Sequence, residues 1–376
     1  MLLPVSSTAV LSLLILSFLC LGCWINMFKA AGGRWRFELF SIDFSIGAMI
    51  VVLISALTLG TMGSDLAYSD RILVAGRTAQ ALAVIGGAVF NLGNMLLLAS
   101  VSLLGVSTAF PLTIGVALIV NSLFHFHSGN LLYLLLGILI MLAAIVFNIR
   151  SARLREAAVA ASARKEAVPA AAAPHAATVT AGAKPATAGM RTPRQHSGKH
   201  AKPHKVRKVR KSLRGIIAAI IGGAALGVFA PILNNCIPGD LGLGPYGGML
   251  LFGVGVLAST IVYDFYFLNI TIEGSSLTFG AYLTGKLAQH LLGFAAGALC
   301  VGGLLAAALA MSAPATADVS LFLQILLPLL SVVLACVFGI SIWKELSTSA
   351  AIRVPMLVGV CLFACSLAVL AFGISR

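Results

Sequence analysis

The stretch that decides the fold is basic, and its densest part reads Lys199-His-Ala-Lys-Pro-His-Lys-Val-Arg-Lys-Val-Arg-Lys211. It belongs to a strap, residues 150–214, that holds 16 of the 25 Lys and Arg residues but only two of the 11 acids, Glu156 and Glu166. The strap alone therefore carries the formal charge of the whole chain, +14. What flanks it is neutral overall and strongly apolar. The chain is 60% hydrophobic and 10% charged, against about 25% charged in an ordinary soluble domain. Two apolar halves joined by one basic strap read as an all-α integral membrane protein. The strap itself is Ala-rich, broken by Pro174, Pro185 and Pro193, and poor in branched apolar residues. Such a segment cannot bury enough surface to offset its ordering entropy, so residues 150–213 are expected to form a disordered linker. It has no aromatic residues on which bases would stack, which argues against a nucleic-acid partner. Lys and Arg collect on the cytoplasmic side of membranes, so the strap is read as a cytoplasmic loop beside anionic lipid headgroups. His196, His200 and His204 share it, but Pro203 and the surrounding positive charge argue against a metal site there.

Working outward, ten segments are long and apolar enough to span about 30 Å of hydrocarbon. They cover roughly 8–28, 44–62, 80–104, 107–125, 130–149, 214–235, 248–269, 287–311, 319–342 and 354–374. Five precede the strap (residues 1–149) and five follow it (214–376). An odd number per half makes the halves enter the membrane from opposite sides, which predicts two inverted five-helix repeats with a substrate site between them near the midplane. Met1 to Val10 has no Lys or Arg before its apolar run, so the first segment is expected to be retained rather than cleaved. With the strap inside, the inner connections also carry Lys29, Arg34, Arg36, Lys286, Lys344 and Arg353, and the outer ones Arg71, Arg77 and Arg376. The expected topology has both termini outside the cell (inner) membrane.

Polar groups inside a bilayer are costly and point to function. Asn91 and Asn94 lie three apart in the third segment and are candidates for holding a polar, uncharged substrate; hydrogen bonding between helices is the competing role. Asn26, Gln324 and Trp24 complete the substrate-binding candidates, Trp24 as a stacking platform set against simple packing. Asp264, in Tyr263-Asp-Phe-Tyr266, is read as the one carboxylate well inside a segment and as a proton-coupling residue, a place at the inner headgroup boundary being the competing reading, with Asp318 as a second candidate. Cys20-x-x-Cys23 is read as small apolar packing in a helix. The pairs Gly223/Gly227 and Gly293/Gly297 are read as close helix contacts, and Pro111, Pro231 and Pro328 as local weak points in helices. Gly280-Ala-Tyr-Leu-Thr-Gly285-Lys286-Leu287 has phosphate-loop spacing, but Leu287 replaces the magnesium-binding hydroxyl and no strand precedes it. His125-Phe-His127 lacks a third ligand. No metal, cofactor or catalytic constellation is implied.

The run Trp35-Arg-Phe-Glu38-Leu-Phe, with Asp43-Phe-Ser-Ile-Gly47 and Ala56-Leu-Thr-Leu-Gly60, resembles the start of plant ureide permeases and their bacterial relatives. Phe90-Asn-Leu-Gly-Asn94 and Leu104-Gly-Val-Ser-Thr-Ala-Phe-Pro111 continue the resemblance. Leu226-Gly-Val-Phe-Ala-Pro231, Ala315-Thr-Ala-Asp318 and Trp343-Lys-Glu345 carry it into the second half. Glu345 falls where the wider drug/metabolite transporter superfamily often has Gly-Glu before its last helix. The resemblance implies a ten-helix secondary transporter whose relatives take up ureides, nucleobases, glucose or rhamnose, often with protons. The phosphate-loop-like motif of the plant proteins' central loop is missing from the strap. The expected function is thus non-enzymatic permease activity toward a small polar metabolite, with a drug or metabolite exporter as the first alternative. A membrane enzyme acting on a lipid-linked substrate is a more distant one, since the acids are scattered rather than clustered at an interface. Self-association as a homodimer is left open.

Overall fold

In the computed structural model the described residues are 1–33, 35–124, 130–167, 210–239, 241–270, 272, 274–345 and 349–375, the side chains at 163–167, 210, 314, 318 and 328 excepted. Among them there is no strand. The helices are α1 (Ser7–Ala31), α2 (Phe37–Leu57), α3 (Tyr68–Val74), α4 (Arg77–Leu104), α5 (Val106–Leu123), α6 (Leu131–Ala167), α7 (Arg210–Asn234), α8 (Gly244–Asn269), α9 (Gly280–Leu283), α10 (Leu287–Ser312), α11 (Leu321–Ser341) and α12 (Ala350–Ser375). Ten of these, all but α3 and α9, are long and apolar enough to cross a membrane, and the chain is a multi-pass membrane protein. Their outward faces carry large apolar side chains in the open, such as Leu132, Leu139, Ile261 and Phe265. Lipid solvates such faces, so the helices must find one another through close packing and polar contacts instead.

Sequence chemistry sets the breaks. The Ser6 hydroxyl accepts from the Ala9 amide and caps α1, and Gly32, at φ 86°, ends it. Gly105, also at φ 86°, separates α4 from α5. Its lack of a side chain matters twice, because a Cβ there would come within 2.8 Å of the Glu345 carboxylate. That carboxylate accepts from the Val106 amide at 3.0 Å and the Ser107 amide at 2.8 Å, the first free donors of α5. It also pairs with Lys29 at the end of α1, 3.1 Å away. Arg155 of α6 donates to the Glu345 carbonyl. One acid thus ties α1, α5 and α6 together on the strap side. At the other end of the bundle the Tyr246 hydroxyl donates to the Leu2 carbonyl, Arg71 to the Gly239 carbonyl and the Asn130 amide to the Gly373 carbonyl.

The helices of the two halves interleave. α1 packs on α10 and α11, α2 on α8 and α10, α4 on α7 and α8, α5 on α7, and α6 on α12. At two crossings, α2 with α10 and α4 with α8, glycines on both helices let the backbones touch. A Cβ on Gly297 would overlap the Phe44 carbonyl, one on Gly47 that of Phe294, one on Gly87 that of Phe252, and one on Gly255 that of Val84. The Gly-x-x-x-Gly pairs behave as expected: Gly223 and Gly227 lie on the Thr113 and Ala117 carbonyls of α5, and Gly293 and Gly297 against Asp43 and Phe44 of α2. Pro111 and Pro231 sit inside α5 and α7, and the phosphate-loop spacing folds as the short α9. Every described cysteine is free.

Two expectations are corrected. The strap is not disordered from residue 150, since α6 runs on to Ala167 and α7 starts at Arg210. The added turns, Ser151-Ala-Arg-Leu-Arg-Glu-Ala-Ala and onward, are strong helix formers growing from an already nucleated helix. The rest of the strap, 168–209, lies outside the described residues, as do His125 and His127. The second span begins at Phe37 rather than near residue 44, so Asp264 is not the one carboxylate inside a span. Glu38 and Asp43 are both fully buried in α2. They enter because each has a cationic or donor partner: Arg36 for Glu38, His290 and Tyr282 for Asp43.

Candidate functional site

A cavity of about 240 Å³ lies between α1, α4, α5, α7, α10 and α11. Its walls are aromatic. Trp24 of α1 meets Phe110 of α5 edge-on, ring centroids 6.1 Å apart, and Phe90 of α4 meets Phe229 of α7 edge-on at 5.1 Å. Each wall is backed from behind. Phe44 of α2 packs on Trp24 at 5.5 Å, and Phe252 of α8 packs on Phe90 at 5.1 Å and on Phe229 at 6.2 Å. These two backing residues are the ones whose carbonyls press on Gly297 and Gly87, so the tight crossings hold the walls in place. Polar groups are sparse: Asn94, Asn121 and Ser331 reach the cavity, with Cys300 beside them.

Asn94 is the unusual member. It is 1% exposed, and neither its amide oxygen nor its amide nitrogen has a hydrogen-bond partner among the described residues. A buried side-chain amide normally finds partners, because leaving one unsatisfied costs about 1–3 kcal/mol. An amide held facing a ring-walled cavity offers one donor face and one acceptor to a bound molecule.

The residues singled out from sequence separate cleanly. Trp24 and Asn94 line the cavity. Asn91 does not: its amide nitrogen donates to the Val256 carbonyl at 3.2 Å, Ser259 Oγ at 3.0 Å and Thr260 Oγ1 at 2.9 Å, which bolts α4 to α8. Asn26 donates to the Gly22 carbonyl and accepts from Trp343 Nε1 at 2.9 Å. Gln324 donates to the Thr316 and Val319 carbonyls and pins the turn ahead of α11. Asp264 accepts from Ser41 Oγ at 2.6 Å, while its Oδ2 has no partner among the described residues. It lies on the strap side of α8 and does not line the cavity. Asp318 ends a 3-10 turn, Pro314–Asp318, and its side chain lies outside the described residues.

Sequence reading missed the rings of Phe90, Phe110 and Phe229. A phenylalanine in an apolar segment carries no mark of whether it faces lipid, a neighbour or a cavity. Among the described residues no group of three or more His, Cys, Asp or Glu is placed to hold a metal ion. No family model matches the chain, and neither a curated protein nor a solved structure matches it.

Proposed function

We propose that the chain is a secondary transporter that carries a small polar metabolite through the cavity by alternating access, coupled to protons. The observation that carries this reading is Asn94, a buried amide with neither polar atom hydrogen-bonded among the described residues, facing a cavity between the helices of the two halves. The packing supports two inverted repeats. The most extensive pairings answer one another: α1–α10 by α7–α4, α2–α10 by α8–α4, and α1–α11 by α7–α5, while α2–α8 and α6–α12 answer themselves. Phe44-Ser-Ile-Gly47 on α2 corresponds in this scheme to Phe252-Gly-Val-Gly255 on α8. A cavity on the axis between such repeats is where a transporter binds its substrate.

The volume and walls favour a flat, amide-edged molecule of ureide or nucleobase type over a sugar. Four rings offer faces to a planar heterocycle, whereas a sugar's ring of hydroxyls needs more hydrogen-bonding groups than Asn94, Asn121 and Ser331 supply. The strap is placed in the cytoplasm, with both chain ends on the outer side of an inner membrane. Purified protein in proteoliposomes, offered labelled uracil, allantoin, glucose and rhamnose, tests the reading. Saturable uptake of uracil or allantoin, with KM raised ~10–100-fold in Asn94→Leu, supports it; absence of uptake of all four overturns it.

A further inference from the structure

The cavity does not account for a second polar cluster, on the strap side, where α2, α9 and α10 meet. Asp43 is fully buried in α2. His290 Nδ1 of α10 lies 3.0 and 3.1 Å from its two carboxylate oxygens. Tyr282 of α9 donates its hydroxyl to Oδ1 at 2.5 Å. The imidazole is boxed edge-on by Trp35 at 4.8 Å and Tyr282 at 4.7 Å between centroids. Two glycines make room for this arrangement. A Cβ on Gly293 would run into the Asp43 side chain, and one on Gly285 would run into Trp35 and His290 Nε2. Each member comes from a different segment, and the His290 side chain remains 18% exposed while Asp43 is at 0%. The cluster therefore joins a buried carboxylate to a titratable ring that water can reach.

We propose that Asp43, His290 and Tyr282 form the proton-loading site of this protein. The transport consequence rests on the function proposed above; the proton site does not. Loading adds one proton to the neutral imidazole from the aqueous phase on the strap side, and no other bond is made or broken. Loaded, the site is an imidazolium–carboxylate pair gripping α10 to α2. Unloaded, a neutral ring donates one hydrogen bond to a buried carboxylate, a weaker hold. Tyr282 is not the group that changes. Burial and then the Asp43 carboxylate push its phenol well above the ordinary tyrosine range, so it stays protonated and keeps donating. Of the neighbouring charges, Glu38 pairs with Arg36 on α2, and Asp264 on α8 accepts from Ser41 through one of its two oxygens. Lys286 stands four residues before His290 at the start of α10. An ionisable pair inside a membrane span, with its partner one side chain away, is a functional site by default.

Trp35 supplies a direct readout, because an imidazolium quenches an adjacent indole more than a neutral imidazole does. Emission of the full chain in detergent, followed from pH 5 to pH 9, is expected to rise in one step. That step should vanish in His290→Gln and in Trp35→Phe. A step persisting in either variant overturns the assignment. In proteoliposomes that carry uracil or allantoin, His290→Gln and Asp43→Asn are expected to lose pH-gradient-driven accumulation and retain exchange. Undiminished accumulation in both variants overturns the coupling role. Absence of uptake in the parent protein strikes the proposed function, and the emission step still decides the proton site.

Discussion

Asn91 and Asn94 sit three residues apart in one helix, and the structure gives them opposite consequences for stability. The two amide hydrogens of Asn91 are shared among three acceptors on α8. At about 0.6 kcal/mol for an average bond between membrane helices, Asn91→Ala should destabilise the fold by roughly 1 kcal/mol. Asn94 makes no such bond among the described residues, so Asn94→Leu, of nearly the same shape, should not destabilise the fold and should stabilise it by up to about 1–3 kcal/mol, because an unsatisfied buried amide is removed. Ligand binding reverses the order. Losing two hydrogen bonds from a buried amide to a ligand costs about 1.5–3 kcal/mol, a ~10–100-fold weaker uracil or allantoin affinity, whereas Asn91→Ala should keep near-parental affinity in whatever fraction stays folded. The assay is thermal unfolding in one detergent at one scan rate, run beside ligand titration on the same preparations. If Asn94→Leu unfolds as early as Asn91→Ala and binds like the parent, the reading of Asn94 as a ligand-facing amide is wrong.

Further outcomes follow from the packing. Gly297→Ala should destabilise by about 1–3 kcal/mol, because its Cβ meets a backbone carbonyl that cannot rotate away. Gly302→Ala meets only Val51, at 3.6 Å, and should be neutral or stabilising by up to about 1 kcal/mol; unfolding midpoints compare the two. Glu345→Gln weakens the charged cap on α5 and the Lys29 pair, lowering stability by about 1–2 kcal/mol, read the same way. Replacing residues 168–199 with a short Gly/Ser linker should leave uptake intact at matched expression. A reporter active only in the periplasm should be silent at Gly189 and active after Arg376.

The number of spans and most of their ends could be read from hydropathy, because lipid imposes a minimum apolar length that few other structures mimic. Two ends were not legible. Arg36, Glu38 and Asp43 look like a loop when charge is counted along the chain, yet their partners include Tyr282 and His290, more than 200 residues away. The Ala-rich turns after Arg150 look like linker by composition, but they inherit their conformation from the span they extend. In the cavity, Asn94 and Trp24 could be chosen because polar and amphipathic side chains are rare in lipid. Which face of α4 each asparagine takes could not, since Asn91 is claimed by Ser259 and Thr260 of a helix that follows the strap.

The interleaving of the helices bears on how the chain is made. α1 and α2 lie against α10, and α4 against α7 and α8, so the first five spans lack their main neighbours until well over half the protein has been synthesised. During that interval the tight glycine seams stand open, and Asn91 and Asp43 face hydrocarbon or provisional partners. Neither half should mature alone. The seams that hold the finished bundle also make the first half a dependent intermediate, exposed to membrane proteases if its sister stalls. Co-expressing the two halves as separate chains should rescue both, since the interactions that complete them run across the bundle rather than along the backbone.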